Sequence, residues 1–313
     1  YNSAFAFTSV GYDQPGNSTN RNFMPFQAHG EMYHLQGPLA SGPHNDARYS
    51  QLYIYDPEYA ANLRYTTNSD LNRDIIENLT REINECNPHV ALYKSVHELL
   101  ENNQESSVVI SPSLNLRLIE GNDRRTENLP TSNEIAAIIP TSADANTDVR
   151  DIRVYFREDE LSSSSTPQFH RISQNHSLYM PLHYVLIFPK GDLGWSWHMK
   201  KISREGEVSR LHQREFYRFR LHLRDNEFPV IFLAQRLFQQ FLVDAWAVCD
   251  QNKLDWIRHN QSKIRADLYN GLEDALINQD TDVGSIGTRL ILPSSFVGGP
   301  RFMAKQYQDA MAI

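Results

Sequence analysis

The spacing of apolar residues along the chain predicts a mixture of helices and strands. Apolar residues three and four apart predict a helical hairpin, with helices over 71–86 and 89–101 on either side of Asn87-Pro88. The same spacing over 231–276 predicts one long helix, or two helices that break near 250–252. Alternating or continuous apolar runs predict strands at 31–35, 51–55, 107–119, 134–139, 151–157 and 181–189.

The order of these elements predicts an α+β protein in two parts. A serine run at 162–165 is typical of a flexible linker. We therefore predict a small, mixed, acidic α+β domain at 1–160 and a second part at 166–313 that combines strands with a long helical hairpin. The final stretch, 290–313, predicts a buried strand, two turns and the start of an amphipathic helix without a stop signal. With Tyr1 as the first residue, we expect an internal piece of a longer protein.

Charge is distributed unevenly between the two parts. The formal net charge of −8 does not favour a nucleic-acid binder as a whole. Residues 1–160 hold 12 Lys/Arg and 23 Asp/Glu, whereas residues 161–313 hold 18 and 15. The basic excess is greatest at 200–225, with eight cations and four carboxylates, and such a segment can neutralise phosphates. The alternative is a solvated face with internal salt bridges.

Aromatic residues alternate with cations in two places in the second part. The first place contains Phe216, Tyr217 and Phe219 with Arg214, Arg218 and Arg220; the second contains Phe296, Phe302 and Tyr307 with Arg301 and Lys305. Proteins that bind single strands combine stacking surfaces and cations in this way, at about 1–3 kcal/mol per stacked base. The alternative places the aromatic rings in the core and the cations in solvent.

The sequence contains no familiar catalytic or metal-binding motif. It has 12 histidines but no His-x-His pair, and it has no nucleophile elbow and no phosphate-binding loop. We predict that His183 is a hydrogen-bonded core or turn residue, and that Asp244 and Asp250 are caps, salt-bridge partners or solvated.

Cys86 and Cys249 are too few for a disulfide framework and are typical of buried thiols in a reducing compartment. No apolar run approaches the roughly 20 residues that span a membrane.

Several longer motifs occur in a distinctive order along nearly the whole chain. They lie at 2–11, 30–34, 37–39, 49–56, 87–88, 179–191, 194–195, 236–246 and 289–313, and the segment Arg-Leu-Phe-Gln-Gln-Phe-Leu-Val-Asp-Ala-Trp at 236–246 is among the strongest. In this order they resemble the Helitron transposon proteins, in the helicase-like region upstream of the replication-initiator nuclease.

The resemblance implies a rolling-circle transposase as the parent protein. That family couples a tyrosine endonuclease, which acts on single-stranded DNA, to an ATP-driven helicase, and the last strand and helix of this chain would enter a truncated nuclease domain. In the nuclease, a His-hydrophobic-His strand holds a divalent metal, and a tyrosine forms a covalent DNA adduct. This sequence has neither that motif nor the helicase motifs. We therefore expect no catalytic residue, metal or cofactor in this piece, and we assign the divalent metal and ATP to the rest of the parent chain.

The resemblance also implies that this piece positions DNA, in single-stranded form, for the nuclease. The predicted nucleic-acid contacts are Arg214, Arg218, Arg220, Arg289, Arg301 and Lys305. We expect an intracellular, nuclear protein that has DNA and the rest of the parent chain as partners and does not bind a membrane. Two alternatives are a protein-interaction or scaffolding module, favoured for the acidic first part, and an inactive transposon remnant.

Overall fold

The computed structural model of the chain describes residues 1–13, 26–39, 47–102, 107–110, 116–120, 141–142, 152–154, 170–204, 206–225, 228–261 and 292–312. The helices are α1 (Asn2–Phe5), α2 (Pro57–Thr67), α3 (Arg73–Cys86), α4 (Pro88–Asn102), α5 (Tyr179–His183), α6 (Gln213–Arg220), α7 (Val230–Leu233), α8 (Arg236–His259) and α9 (Pro300–Met311). The strands are β1 (Ser9–Asp13), β2 (His29–Gln36), β3 (Ser107–Ile110), β4 (Leu116–Glu120), β5 (Thr141–Ser142), β6 (Ile152–Val154), β7 (His170–Arg171), β8 (Lys200–Ile202) and β9 (Val208–Arg210).

The described strands form three separate sheets. In the first, β2 lies between β1 and β7 and is antiparallel to both. The second has the order β5-β4-β3-β6, in which β4 and β5 are parallel and the other pairs are antiparallel. The third is a two-stranded antiparallel ribbon of β8 and β9. Helices and small, mainly antiparallel sheets therefore occur together, and the predicted α+β class is confirmed.

The predicted helical hairpin is present as α3 and α4. The side chain of Asn72 accepts a hydrogen bond from the Ile75 amide at 3.2 Å, which caps the first turn of α3. The helix ends at Cys86, because Asn87-Pro88 starts α4, and proline is tolerated only in the first turn. Ile76 and Ile83 lie in the core, as their spacing predicts.

Two predicted strands are wrong. The alternating run at 51–55 belongs to a 3₁₀ helix over Tyr49–Tyr53, and Asp56-Pro57, interpreted as the end of a strand, caps α2 instead. The run at 181–189 is the helical turn α5 followed by further turns. That segment is buried on nearly all sides, and a continuous apolar run does not distinguish a strand from a helix.

The predicted long helical stretch is present but breaks at a different place. Gln235, with φ of 50°, separates α7 from α8, and α8 then continues without a break through 250–252. The helix predicted near the end of the chain is confirmed as α9, which begins at Pro300 after the turns at 294–299. The remainder of the predicted hairpin, over 262–276, and the strand at 134–139 lie outside the described residues.

A core of aromatic rings joins the beginning of the chain to the helices. Phe7 stacks on Tyr53 at 4.0 Å between ring centroids and lies 5.2 Å from Tyr93. The guanidinium of Arg64 is buried between the Phe5 and Tyr53 rings, 4.8 Å from each, and its Nε donates to the Ala4 carbonyl at 2.9 Å. Cation–π contact and backbone acceptors thus offset part of the cost of burying this cation.

The chain forms two compact units, Tyr1–Ala245 and Trp246–Ile313, and α8 contains the boundary between them. The predicted boundary at 160–166 falls among residues outside the described ranges and stays a prediction.

The prediction of buried thiols is wrong for Cys86, which is exposed at the end of α3.

Candidate nucleic-acid interface

Helix α6 turns a basic and aromatic face toward solvent. The Glu215 carboxylate accepts from the His212 amide at 3.0 Å, which fastens the start of the helix. Tyr217 faces the core, whereas Arg214 and Arg218, four residues apart, are exposed on one face. Phe219 is 64% exposed. The predicted alternation of aromatic residues and cations therefore divides into one core ring, two exposed cations on one face, and the exposed Phe219, which lies about 100° around the helix from Arg218.

A cleft of about 260 Å³ lies beside the end of α6. One wall is formed by the segment 187–192 that follows α5, and the other by the end of α6, the following turn and α7. Its lining includes the cations Lys190, Arg220 and Arg224 and the carboxylate Asp192. Phe228 also lines the cleft and is 79% exposed. The cleft is smaller than the roughly 300–1,000 Å³ of pockets that enclose drug-sized ligands, so it is suited to a single flat group rather than to a large molecule.

Aromatic rings hold the two arginines of the cleft in place. The guanidinium of Arg220 lies 5.4 Å from the Phe188 ring centroid and forms a 3.5 Å ion pair with Asp192. Arg224 lies 4.0 Å from the Phe219 ring centroid and donates to the Phe219 carbonyl at 2.7 Å. The cations are therefore oriented before any ligand arrives, which reduces the entropy lost when a phosphate binds.

The other predicted contacts lie elsewhere in the chain. Arg301 and Lys305 occupy α9 in the second compact unit, one helical turn apart, with Lys305 exposed and Arg301 partly buried. Arg289 lies outside the described residues. The eight cations of 200–225 are divided between the β8–β9 ribbon, α6 and the turns that flank them.

A buried polar cluster lies in the first unit, and sequence reasoning missed how its members meet. His34 of β2 contacts Asp244 of α8, with 2.7 Å between Nε2 and Oδ2, and neither side chain reaches solvent. Tyr184 donates its hydroxyl to the same oxygen at 2.8 Å, and Tyr179 donates more weakly to Oδ1 at 3.4 Å. The His34 ring stacks on Tyr179 at 3.9 Å and lies 4.7 Å from the ring of His183. Residues more than 200 positions apart thus share one hydrogen-bonded cluster.

The hydrogen-bond partners of His34 and His183 show that the two neighbouring rings carry different numbers of protons. His34 Nδ1 lies 2.9 Å from the Tyr179 carbonyl oxygen, so this nitrogen must donate. Its Nε2 faces a carboxylate that already accepts from two hydroxyls, which favours the imidazolium–carboxylate form. His183 Nδ1 instead donates to the Thr8 carbonyl, and its Nε2 accepts from the Gln240 amide at 3.2 Å. His183 is therefore neutral.

Burial and charge shift the pKa values of the groups around this ion pair. Burial, reinforced by the cationic His34 ring, lowers the pKa of His183 to about 3. Burial and the Asp244 carboxylate raise the pKa values of Tyr179 and Tyr184 well above the ordinary value for tyrosine. Both hydroxyls therefore stay protonated and donate. The predictions that His183 is a hydrogen-bonded core residue and that Asp244 is a salt-bridge partner are confirmed.

The cluster determines the positions of the elements around the cleft. His183 and Tyr184 precede the wall at 187–192, while Gln240 and Asp244 lie on the helix that follows α7. The hydrogen bonds between these pairs join the segment that leads into one wall to the helix that follows the other. One signal in the sequence was available: Asp244 interrupts the apolar stripe of Phe241, Ala245 and Val248, and a carboxylate at a core position needs a buried partner. The identity of that partner was not available from the sequence.

Within the part of the chain that the structure describes, no group of three or more His, Cys, Asp or Glu side chains is arranged to hold a metal ion. Among the same residues, no helix combines the length and apolarity that crossing a membrane requires.

The family model of the Helitron helicase-like domain at N-terminus matches residues 216–313. This range includes most of α6 and all of α7, α8 and α9. This match supports a Helitron transposon protein. The predicted resemblance is thus confirmed over 216–313, and for 1–215 it stays a prediction. Neither the search of curated proteins nor the search of solved structures gives a match.

Proposed function

We propose that this chain positions single-stranded DNA within a Helitron-type transposon protein. The observation that carries the proposal is the exposed face of α6 together with the adjacent cleft, where cations and solvent-facing aromatic rings lie side by side. Most of these residues fall inside the segment that matches the Helitron helicase-like domain. Such a protein must handle DNA, and a nuclear location follows from the same proposal.

The geometry is suited to a strand with unpaired bases. A base stacks on the exposed ring of Phe219 or Phe228, because every base has a flat face that an aromatic ring can cover. Arg214 and Arg218 then neutralise phosphates along the outer face of α6, and Lys190 neutralises a phosphate at the rim of the cleft. Duplex DNA presents no exposed base faces, so this surface favours single strands.

Within this proposal the chain holds the strand and does not cut it. The sequence lacks the His-hydrophobic-His strand that the resemblance associates with metal-dependent cleavage. The buried tyrosines Tyr179 and Tyr184 are not candidates for nucleophiles, because both donate to Asp244 and have raised pKa values. Incubation of the protein with Mg²⁺ or Mn²⁺ and an end-labelled single strand tests this point, and a discrete nicked product contradicts it.

The test of DNA positioning is fluorescence anisotropy with a labelled 20-nucleotide single strand at several salt concentrations. The variant Arg214→Glu/Arg218→Glu reverses the two exposed cations of α6. The matched control Arg73→Glu/Arg81→Glu reverses two exposed arginines of α3, so both variants carry the same net charge.

We expect the α6 variant to bind the strand more weakly and to lower the slope of log K against log salt by about 1.4, because each lost phosphate contact contributes about 0.7. The α3 variant retains the wild-type slope. Equal loss in both variants would indicate an unspecific effect of net charge. No binding by the wild-type protein leaves the protein-interaction module as the better interpretation.

A further inference from the structure

The β8–β9 ribbon lies almost entirely in solvent, and the proposed single-strand site does not use it. All six residues of its two strands are exposed, and Ile202 and Val208 are 74% and 61% exposed. A two-stranded ribbon is only marginally stable by itself, and these exposed aliphatic side chains gain no stability from burial in the fold.

Strand register gives the ribbon two different faces. Lys200 pairs with Arg210 and Ile202 pairs with Val208, so these four side chains share one face, which we call the basic face. Lys201 and Ser209 lie on the opposite face, where the Lys201 ammonium contacts the Glu215 carboxylate of α6 at 2.5 Å. One face is therefore neutralised by the protein, while the other combines two cations with two aliphatic side chains.

The basic face places like charges directly opposite each other. Lys200 and Arg210 are cross-strand partners, and like charges directly opposite each other destabilise a ribbon. Among the residues that the structure describes, no carboxylate forms an ion pair with either of them. An anion bound across the two strands relieves this repulsion, so the charge pattern favours a polyanionic partner.

The base of the ribbon is held firmly by the body of the protein. The Leu211 amide donates to the Met199 carbonyl at 3.0 Å, and the Trp195 indole donates to the Leu211 carbonyl at 2.9 Å. The Arg210 guanidinium lies 3.5 Å from the Trp197 ring centroid. At the far end, Gly206 has φ of 82°, in the left-handed region that favours glycine, which permits the tight reversal. The ribbon is thus presented with a defined orientation at low entropic cost.

We infer that the basic face of this ribbon binds duplex DNA in the major groove. A two-stranded ribbon fits the major groove, which is about 12 Å wide, and aliphatic side chains there contact thymine methyl groups while cations at the edge contact phosphates. The strands of the ribbon carry no aromatic residue on which a single base can stack, unlike the α6 surface. The inference goes beyond the proposed single-strand function: one chain contacts the duplex and the separated strand through two different elements.

The test compares binding of a labelled 20-base-pair duplex and of a single strand of the same length by the full chain. The variants are Lys200→Gln/Arg210→Gln, which removes the two cations, and Ile202→Ser/Val208→Ser, which removes the aliphatic pair. The control is Lys201→Gln, on the opposite face of the same strand. Thermal unfolding verifies that each variant folds. The Arg210 substitution also removes the contact with Trp197 and could disturb the ribbon. The Ile202→Ser/Val208→Ser variant keeps that contact, so it tests the ribbon independently.

We expect the cation variant to weaken duplex binding roughly tenfold and to lower its salt slope by about 1.8, because each phosphate contact contributes about 0.9 on duplex DNA. Single-strand binding stays within twofold of wild type, and Lys201→Gln changes neither. The α6 variant Arg214→Glu/Arg218→Glu should give the reverse pattern, so failure of one proposal is distinguishable from failure of the other. Absence of duplex binding by the wild type, unchanged duplex binding in both ribbon variants, or equal loss for duplex and single strand overturns the inference.

Discussion

The buried His34–Asp244 cluster and the exposed surface of α6 contain similar kinds of side chain but place them in opposite environments. In the cluster, each polar group has a specified partner, and the ion pair has no access to water. On α6, Arg214 and Arg218 face solvent, and their spacing along the helix determines their position. A buried charge without its partner costs several kcal/mol, whereas an exposed charge without one costs little. We therefore expect changes in the cluster to affect stability and changes on the α6 surface to affect the proposed DNA binding.

The sharpest test of this comparison is the variant Asp244→Asn. It removes the carboxylate that the imidazolium of His34 and two tyrosine hydroxyls share, so we expect the free energy of unfolding to fall by about 3–5 kcal/mol in urea titrations. The control Asp250→Asn lies on the same helix but is partly exposed and pairs with Lys253 within one turn, so it should cost less than about 1 kcal/mol. Similar losses for the two variants would show that burial does not distinguish them.

Acid should destabilise the first unit before most carboxylates are protonated. Burial lowers the pKa of His183 to about 3 and that of His89 to about 4, below the unfolded value of 6.5. Below pH 6.5 the unfolded chain therefore binds protons that the folded chain does not, and stability falls as pH decreases toward these values. Each histidine should contribute a loss of about 1.4 kcal/mol per pH unit. Unfolding free energies measured at about pH 6.0, 5.5 and 5.0 check the sign, and a flat profile over this range contradicts it.

Truncation of exposed rings tests the binding side of the comparison. Phe219→Ala and Phe228→Ala should each weaken binding of a labelled single strand by about 1–3 kcal/mol if a base stacks on that ring. Neither change should alter thermal stability appreciably, because both rings are largely exposed. Tyr59→Ala, which removes an exposed ring from α2, serves as the control and should leave DNA binding unchanged.

The smallest effect is expected at α9. Lys305→Gln removes one exposed cation from the second compact unit, so single-strand affinity should fall about two- to threefold and the salt slope by about 0.7. Arg81→Gln on α3 provides a matched loss of charge. If Lys305→Gln weakens DNA binding no more than Arg81→Gln does, α9 does not contact DNA, and the proposed contacts are limited to α6 and the cleft.

Several elements were predictable because local signals agree with one another. The cap at Asn72 and the break at Asn87-Pro88 define α3, and the turns before Pro300 define the start of α9. The alternation of cations and aromatic residues over 214–220 is also visible in the sequence, although the sequence leaves open which of these side chains face solvent. These features depend on neighbours along the chain, which the sequence displays directly.

Other features depended on contacts between distant residues. The run at 181–189 is buried, as its composition indicates, but the surrounding core is compatible with helix or strand, and only packing selected the helical turn. Phe228 became a candidate contact because the turn after α6 leaves it in solvent beside the segment at 187–192. Apolar residues usually signal the core, so sequence reasoning had no reason to place this one on a binding surface.

The sequence alone predicts a mixed α+β chain with a basic second part, and over 216–313 it matches the Helitron helicase-like domain. The tertiary structure decided which polar residues are buried together, which cations face solvent and which strands form a free ribbon. The physical reason is that helix periodicity and capping act over a few residues. In contrast, the partner of a buried charge is whichever residue the folded chain brings within hydrogen-bonding distance. For His34 that partner is Asp244, 210 positions away.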